Sequence, residues 1–267
     1  MKIDEYLQLI FEGKMSEANE IRVSTIPDRL IKFIWLDGST TDAKKFCSLK
    51  RNEIWFAQKD VLNDPYEYKG MILDRQKMRE SGYTDNVIDS CEKLFNFNDY
   101  GITCLSANDI DYLPMWAYYT NNHKGFCIEY EVIKKDCIHE VLYEPERIKV
   151  ASLIFQCRDA IKKAITLGQR EQAEFYSTLF LQNLFIKAKS WEHEKEYRIV
   201  YPLDNDIGMN IPVSNLGLRT SRIVADINCS KSDIVRLNEI SNELGLGNVY
   251  KSRVHSEKYT LDYIRWR

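Results

Sequence analysis

The sequence predicts a single α+β domain, residues 1–267, with a mixed or antiparallel sheet and a helical insertion at about 147–188. Short β-branched and aromatic runs recur along the whole chain, and the stretches between them have helical periodicity. Strands and helices do not follow a strict β-α-β alternation, which would indicate a parallel sheet. No internal repeat, low-complexity run or linker divides the chain.

Composition and charge narrow the class of protein. Hydrophobic residues make up 44% of the chain and aromatic residues 12%, which is ample for a core. The net charge of −3 argues against a strongly basic nucleic-acid binder and leaves a local basic patch open. No apolar run is long enough to span a bilayer, and the acidic N-terminus is unlike a signal peptide. We therefore expect a cytoplasmic protein without a membrane partner, its oligomeric state being open.

Cysteine and histidine spacing bears on metal sites and disulfides. The seven cysteines are scattered and form no CxxC pair, a pattern typical of reduced thiols. The four histidines stand far apart in sequence, so their spacing gives no support for a metal site. Phosphate-loop, dinucleotide-binding, zinc-protease and serine-hydrolase motifs are also missing.

Predicted elements follow from apolar runs bounded by turn residues. The predicted strands are Leu30–Leu36, Ile54–Ala57, Gly101–Ser106, Phe126–Val132, Cys137–Tyr143, Arg222–Ile227, Val249–Lys251 and Tyr259–Ile264. The predicted helices are one capped by Thr40 or Thr41 and ending at Leu49, residues 71–98, a brief one within Asp109–Thr120, Arg147–Leu167, Glu171–Ala188 and Ser230–Leu244. In the strand Phe126–Val132 the alternation directs Glu129 and Glu131 to solvent.

The stretch Lys187–Val200, KAKSWEHEKEYRIV, is the strongest candidate for a functional site. If the chain is extended from Glu194, a period of two places Glu194, Glu196 and Arg198 on one face. Two carboxylates beside a guanidinium, with the indole of Trp191 nearby, form a plausible polar site on a sheet. The alternative is a solvated strand whose charges pair with each other and contribute little to stability.

Other segments supply further candidate side chains. The turn VLNDPYE at 61–67 follows from its Asn-Asp-Pro sequence, and its polar residues can all reach one ligand. The aromatic residues at 116–119 fit either a core or a ligand platform. Lys32, in the run LIKFIWL, either extends its ammonium to water or binds a ligand. The candidate binding residues are Lys32, Asn63, Asp64, Glu67, Trp116, Tyr119, His123, Lys187, Trp191 and Arg198, with Glu194 and Glu196 as candidate catalytic residues.

Three segments resemble a known family. VLNDPYE (61–67), MWAYYTNNHKGFCIEYE (115–131) and KAKSWEHEKEYRIV (187–200), with the strand ITCLS (102–106), are similar to the bacterial family catalogued as domain of unknown function 2971. Its members carry FNDPFE-type, MWSHYA…HKGFCIEF-type and KxxxWxxExEYR-type segments in that order, and the resemblance covers roughly residues 27–265. The chain departs from it at Leu62, where Phe is usual, and at Tyr118, where His is usual. We therefore assign no catalytic role to position 118.

A second resemblance concerns the layout of the N-terminal half. A strand, a helix, a second strand and an Asn-containing turn look like the start of the ADP-ribosyltransferase fold, in particular its DNA-modifying toxin branch. Glu194-Lys195-Glu196 has the Glu-x-Glu form of some of those transferases. The resemblance implies NAD as substrate, with Glu196 binding a ribose hydroxyl and stabilising the oxocarbenium-like state. Tyr119 or Trp116 would stack on the nicotinamide.

Three functions therefore stay open on the sequence. The first is an enzyme acting on a nucleotide or nucleic acid, namely an NAD-dependent ADP-ribosyltransferase in a toxin or phage-defence setting. The second is a non-catalytic ligand-binding, sensor or interaction protein. The third is a nuclease-like hydrolase, in which Asp64, Glu67, Glu194 and Glu196 would jointly hold Mg²⁺, an ion that takes oxygen ligands.

Overall fold

The computed structural model describes residues 5, 6, 8, 9, 12, 14–93, 97, 99–151, 162–168, 181–204 and 208–267. The strands within these residues are β1 (Arg29–Ile34), β2 (Glu53–Ala57), β3 (Met71–Leu73), β4 (Tyr100–Ser106), β5 (Phe126–Val132), β6 (His139–Glu140), β7 (Leu142–Glu144), β8 (Ile148–Val150), β9 (Ile186–Ala188), β10 (Glu196–Pro202), β11 (Gly208–Pro212), β12 (Leu218–Ala225), β13 (Tyr250–Val254) and β14 (Leu261–Arg265). The α-helices with both ends among the described residues are α1 (Met15–Thr25), α2 (Thr40–Lys50), α3 (Arg75–Glu80), α4 (Asp85–Glu92), α5 (Leu113–Tyr119) and α6 (Lys231–Glu243).

One sheet organises the described part of the chain. Its order is β11-β2-β4-β1-β5-β12-β13-β14, with β10 beside β4 and β6 beside β10. All its pairings are antiparallel except that of β12 with β13. Two small parallel pairs, β3 with β8 and β7 with β9, lie outside it. The helices and the mixed, mostly antiparallel sheet confirm the predicted α+β class.

The sheet divides beside β4. Along its whole length β4 pairs with β10, but on its other side Ile102 pairs with Ala57 of β2 and Ser106 pairs with Ile31 of β1. Lys32 lies in this division, where its Nζ is 2.7 Å from Thr103 Oγ1. The division therefore opens the sheet next to the strand pair that carries the charged motif.

The main core fills one face of the sheet. On β10, Tyr197 and Ile199 belong to this core, so Glu196 and Arg198 lie on the opposite face. Helix α6 contributes Ile234, Leu237 and Ile240 at helical spacing, and it begins at the predicted cap Ser230, which accepts a hydrogen bond from Asp233 N.

Helix α5 covers the same face as the charged residues. Ile31 pairs with Ser106, and Ser106 pairs with Glu196, so all three side chains lie on one face. Ile31 packs against Trp116 of α5. The helix thus places its C-terminal residues beside the start of β10.

Several local predictions were wrong. Residues 71–98 do not form one helix, because Met71–Leu73 is a strand paired with Ile148–Val150, and helices α3 and α4 follow. The first residue of that segment is held by a side chain distant in sequence, Asn183, whose Oδ1 accepts from Met71 N at 2.6 Å. The cap of α2 is Ser39, with Thr40 already helical. Glu129 is buried and paired with Arg222, contrary to the prediction of a solvent-facing side chain.

The predicted helical insertion at 147–188 is only partly described. Ile148–Val150 and Ile186–Ala188 are strands, so the predicted helix bounds at both ends were wrong. Residues 162–167 are helical, while 152–161 and 169–180 lie outside the described residues. The insertion and the one-domain boundary at 1–267 stay predictions. Among the described residues, no helix combines the length and the apolar character that crossing a membrane requires.

The HKG turn requires a glycine at position 125. Its amide donates to Thr120 O at 2.9 Å, and a Cβ here would lie 2.0 Å from Ile34 O. We expect Gly125→Ala to lower the free energy of unfolding by about 1–3 kcal/mol, because β1 would have to move. Urea denaturation checks this, with the exposed neighbour Lys124→Ala as control. Equal stability of the two variants would contradict it.

Candidate functional site

Five charged side chains meet on the face of the sheet that α5 covers, and we call them the buried network. They come from the 61–67 turn, β9, a 3-10 turn at Lys189–Glu194 and β10. Each is at most 6% exposed, and Arg198 is fully buried. The members are Glu67, Lys187, Glu194, Glu196 and Arg198. Charges buried this deeply are stable only when they are paired and hydrogen-bonded.

Lys187 joins the carboxylates of the Glu-x-Glu motif. Its Nζ lies 2.6 Å from Glu194 Oε2 and 2.9 Å from Glu196 Oε2, while Glu67 Oε1 is 3.9 Å away. The ammonium also lies 4.9 Å from the centre of the Trp191 ring, in cation–π geometry. Lys187 therefore fixes two carboxylates and one indole at the same time.

All three nitrogens of the Arg198 guanidinium donate hydrogen bonds. Its Nε donates to Glu196 Oε1 at 2.7 Å, and its Nη2 donates to Glu196 Oε2 at 3.2 Å and to Glu67 Oε1 at 2.8 Å. Its Nη1 donates to Leu184 O at 2.7 Å. This planar, bidentate arrangement is specific to arginine, since a lysine ammonium cannot present two parallel donors.

The position of Glu194 in the buried network does not follow from the alternation of side chains in an extended strand. It ends the 3-10 turn, and β10 begins only at Glu196, because Lys195 between them adopts a left-handed conformation with φ 45°. Backbone positions around it are held by Ser106 Oγ and Asn108 Nδ2, which donate to Glu194 O at 2.7 and 3.0 Å. The predicted extended conformation from Glu194 was therefore wrong, although the carboxylate does lie beside Glu196.

The surroundings shift the pKa values of Glu196 and Glu67 in opposite directions. Burial alone would raise the pKa of Glu196, but the charges of Arg198 and Lys187 outweigh it and lower the pKa to about 2. Burial raises the pKa of Glu67, and Arg198 offsets this only in part. Glu67 Oε2 is buried without a hydrogen-bond partner among the described residues. Glu196 is thus the firmly ionised member of the pair.

The outer edge of the network reaches solvent through Tyr119. Its hydroxyl donates to Glu194 Oε1 and accepts from Asn63 Nδ2 at 3.1 Å. Asn63 is exposed and Tyr119 is partly exposed. Burial, followed by the charge of Glu194, raises the pKa of Tyr119, so the hydroxyl keeps its proton and remains a donor.

Three rings lie side by side next to this edge. The centroid of His193 is 6.2 Å from that of Trp191, at an interplanar angle of 27°, and 6.2 Å from that of Tyr118, at an angle of 67°. Tyr118 is 68% exposed, and the other two rings are partly exposed. We call these three residues, with Asn63 and Tyr119, the rim of the buried network.

A cleft of about 240 Å³ adjoins the rim at His193. Its walls also include Asn108, Asp109, Asp111, Tyr112 and Lys195. His193 Nδ1 lies 3.1 Å from Ser190 O, and Nε2 is buried without a hydrogen-bond partner among the described residues. The cleft and the rim therefore meet at the His193 ring.

Four of the predicted site residues lie outside the buried network and its rim. Trp116 is fully buried, donates to Ile110 O at 2.5 Å and packs edge-on against Phe33, so it is a core residue unavailable for stacking on nicotinamide. Lys32 lies in the division of the sheet, where burial lowers its pKa. Asp64 is buried, with Oδ1 accepting from Tyr66 N at 2.8 Å and Oδ2 without a partner among the described residues.

His123 belongs to a separate polar cluster. Its Nδ1 lies 3.1 Å from Oδ2 of the fully buried Asp226, which also accepts from Thr120 Oγ1 at 2.9 Å and from Ser252 Oγ at 3.1 Å. Residues 121–123 all have positive φ, an unusual conformation for non-glycine residues. The contacts of Asp226 hold this strained turn against the end of β12 and the middle of β13.

Sequence reasoning missed three contributors to the site. Tyr143 Oη accepts from Glu196 N at 2.8 Å, and nothing in its strand-like segment distinguished it. Tyr118 was set aside because the family usually has His there, and His193 received no role. The mixture of Trp and His in WEHE was the available signal for a ring surface.

The carboxylates are not arranged for a divalent cation. Across the described residues, no group of three His, Cys, Asp or Glu side chains is placed to hold a metal ion. Instead, Glu67, Glu194 and Glu196 contact Lys187 and Arg198. The geometry therefore gives the Mg²⁺-dependent nuclease alternative no support.

The fold and the site define an α+β protein with a buried ionic network beneath an aromatic rim. The model of the family described as "Protein of unknown function (DUF2971)" matches residues 115–199. This segment contains the MWAYY…HKG and KAKSWEHEKEYR motifs and four of the five network residues, so the family resemblance is confirmed there. The turn at 61–67 lies outside the matched segment. Comparisons with curated proteins and with solved structures return no match.

Proposed function

We propose that this protein binds a nucleotide on the rim, with the buried network holding the rim in place. The observation that supports this proposal is the row of Trp191, His193 and Tyr118 rings beside the Tyr119 hydroxyl and the Asn63 amide. A base stacks on aromatic faces, and its edge or its ribose hydroxyls need nearby donors and acceptors. The rim supplies both within one surface.

The buried network restricts the motion of the rim. Glu194 accepts from the Tyr119 hydroxyl, and Lys187 lies over the Trp191 ring, so one ion pair orients two rim residues. A preorganised surface loses less conformational entropy on binding. The network thus acts as the support of the site, and the ligand contacts the rim residues.

Tyr118 gives the sharpest test of nucleotide binding. Because its ring is 68% exposed, Tyr118→Ala removes a stacking surface without leaving a cavity in the core. We expect the affinity for NAD or AMP to fall about 5- to 150-fold, the range for loss of one base–aromatic stack. Isothermal titration calorimetry measures it, with the fully exposed Tyr259→Ala as matched control. Equal affinities of both variants and the unchanged protein would contradict the rim as the binding site.

A second candidate function is NAD-dependent ADP-ribosyl transfer, in a toxin or phage-defence setting. The observation in its favour is a pair of carboxylates beside the rim: Glu196 is held ionised, and Glu194 accepts a hydrogen bond from Tyr119. In this reaction the bond from ribose C1′ to nicotinamide breaks, and nicotinamide leaves with the electron pair. The acceptor forms the new bond to C1′ and loses a proton, while a fixed carboxylate stabilises the positive charge in between.

The geometry favours Glu194 over Glu196 as the carboxylate nearest to such a substrate. Glu196 is enclosed by Arg198 and Lys187, whereas Glu194 contacts Tyr119 of the rim. The assay follows nicotinamide release from NAD, with and without nucleic acid as acceptor, for the unchanged protein and for Glu194→Gln. Release that is lost in Glu194→Gln supports transfer. NAD binding without release under either condition leaves the binding function alone.

A further inference from the structure

A second cleft, of about 210 Å³, lies where β1, β5, β12, β13 and β14 run side by side, and none of the rim residues lines it. Arg29, Arg222 and Arg265 line it together with Tyr250 and two glutamates. An arginine-lined cleft in a chain of net charge −3 is a local reversal of charge sign. The proposed function does not use it.

Arg222 has an unused donor in this cleft. Its Nη2 lies 3.0 Å from Glu129 Oε2, but its Nε is buried and has no hydrogen-bond partner among the described residues. A buried guanidinium nitrogen without an acceptor is unfavourable, because it loses water and gains no partner. The Arg222 side chain as a whole is 29% exposed, so its guanidinium can turn toward an acceptor that enters the cleft.

The guanidinium groups of Arg222 and Arg265 both lie against the Tyr250 ring. The Arg222 and Arg265 guanidinium carbons lie 5.7 and 5.4 Å from the Tyr250 ring centre, and Arg265 Nε donates to Tyr250 Oη at 3.0 Å. Tyr250 thus fixes both arginines through its ring and its hydroxyl. Arg265 itself is exposed, so its remaining donors are accessible to a ligand.

The two glutamates of the cleft do not neutralise all of its arginines. Glu129 contacts Arg222 and, at 3.7 Å, Arg29, while Glu131 pairs with Arg219. The lining of the cleft therefore carries three arginines and two glutamates. The hydroxyl of Tyr263, two residues before Arg265 on the same face of β14, is also buried without a partner among the described residues. Two unpaired donors and an excess of guanidinium groups share one face of the sheet.

We propose that this cleft binds a phosphate group of a small molecule, with the Arg222 and Arg265 guanidinium groups as the donors. Arginine recognises phosphate oxygens through paired, charge-assisted hydrogen bonds, and both arginines are already oriented by Tyr250. A phosphate supplies the acceptors that the unpaired Nε lacks. Its negative charge balances the excess of arginine.

Titration with inorganic phosphate and pyrophosphate, at low and constant ionic strength, tests this proposal. The matched variants are Arg222→Gln, Arg265→Gln and, as control, Arg253→Gln. Arg253 is an exposed arginine of β13 that pairs with Asp262 at 3.2 Å, away from the cleft. Each variant changes the net charge by one unit, so a general electrostatic effect appears in all three.

We expect Arg222→Gln and Arg265→Gln to weaken pyrophosphate binding by at least about tenfold, and Arg253→Gln to leave it within about twofold. Arg265 is exposed, so its variant keeps the fold if Arg222→Gln does not. Tyr118→Ala should bind pyrophosphate normally, which separates failure at this cleft from failure at the rim. Absence of pyrophosphate binding by the unchanged protein, or an equal loss in all three arginine variants, would overturn the proposal.

Discussion

Arg198→Met is expected to lower the free energy of unfolding by about 3–5 kcal/mol, the range for removing one partner of a buried ion pair. The fully buried guanidinium donates to Glu196, Glu67 and Leu184 O. Methionine fills similar space but leaves these acceptors unpaired away from water. Urea denaturation at pH 7 measures the loss.

Two further variants identify the source of that loss. Arg198→Lys keeps the charge but not the planar fork, so we expect a smaller loss that is still at least about 1.5 kcal/mol. Arg219→Met removes an arginine that is 68% exposed, and its pair with Glu131 contributes at most about 1 kcal/mol. A melting temperature of Arg198→Lys equal to that of the unchanged protein would contradict a clamp at Arg198.

Glu196→Gln and Glu67→Gln are expected to differ strongly, although both replace a buried carboxylate by an amide. Lowering the pKa of Glu196 from 4.5 to about 2 corresponds to about 3 kcal/mol of stability at neutral pH. Glu196→Gln loses this contribution. The pKa of Glu67 is raised, so its ionised form is disfavoured by folding, and Glu67→Gln should cost less stability than Glu196→Gln.

The pH dependence follows from the same shifts. Because the folded pKa of Glu196 lies below its unfolded value, its contribution is present above about pH 4.5 and is lost as the pH falls toward 2. Glu67 acts in the opposite direction, since its raised pKa favours the folded state as the pH falls. Denaturation between pH 7 and 3 should therefore show a steeper acid loss in Glu67→Gln than in Glu196→Gln. The reverse order would contradict the assignment of charge within the network.

Part of the site could be read from the sequence. Glu196 and Arg198 share a face because they are two residues apart in a strand, and that geometry is local. The positions of Glu194 and Trp116 were not accessible in this way. The left-handed Lys195 redirects Glu194, and the burial of Trp116 depends on how α5 packs on β1.

Nonlocal pairing explains the errors in the fold. Strands β3, β8 and β9 have only three residues each, and β3 pairs with a segment more than seventy residues away. Runs of three apolar residues carry no periodicity that distinguishes a strand from a helix. The division of the sheet that surrounds Lys32 likewise depends on β4 pairing with three strands. Longer elements such as α6 and β5 were predicted because their patterns are complete within one window.

The most direct test of nucleotide binding at the rim is a crystal structure of the protein with NAD or AMP at a saturating concentration. We expect a base lying against the rings of Tyr118, Trp191 or His193, with a hydrogen bond to Asn63 or Tyr119 and an unchanged Arg198–Glu196 pair. A rim without nucleotide, or a nucleotide bound elsewhere while the rim is free, would contradict it.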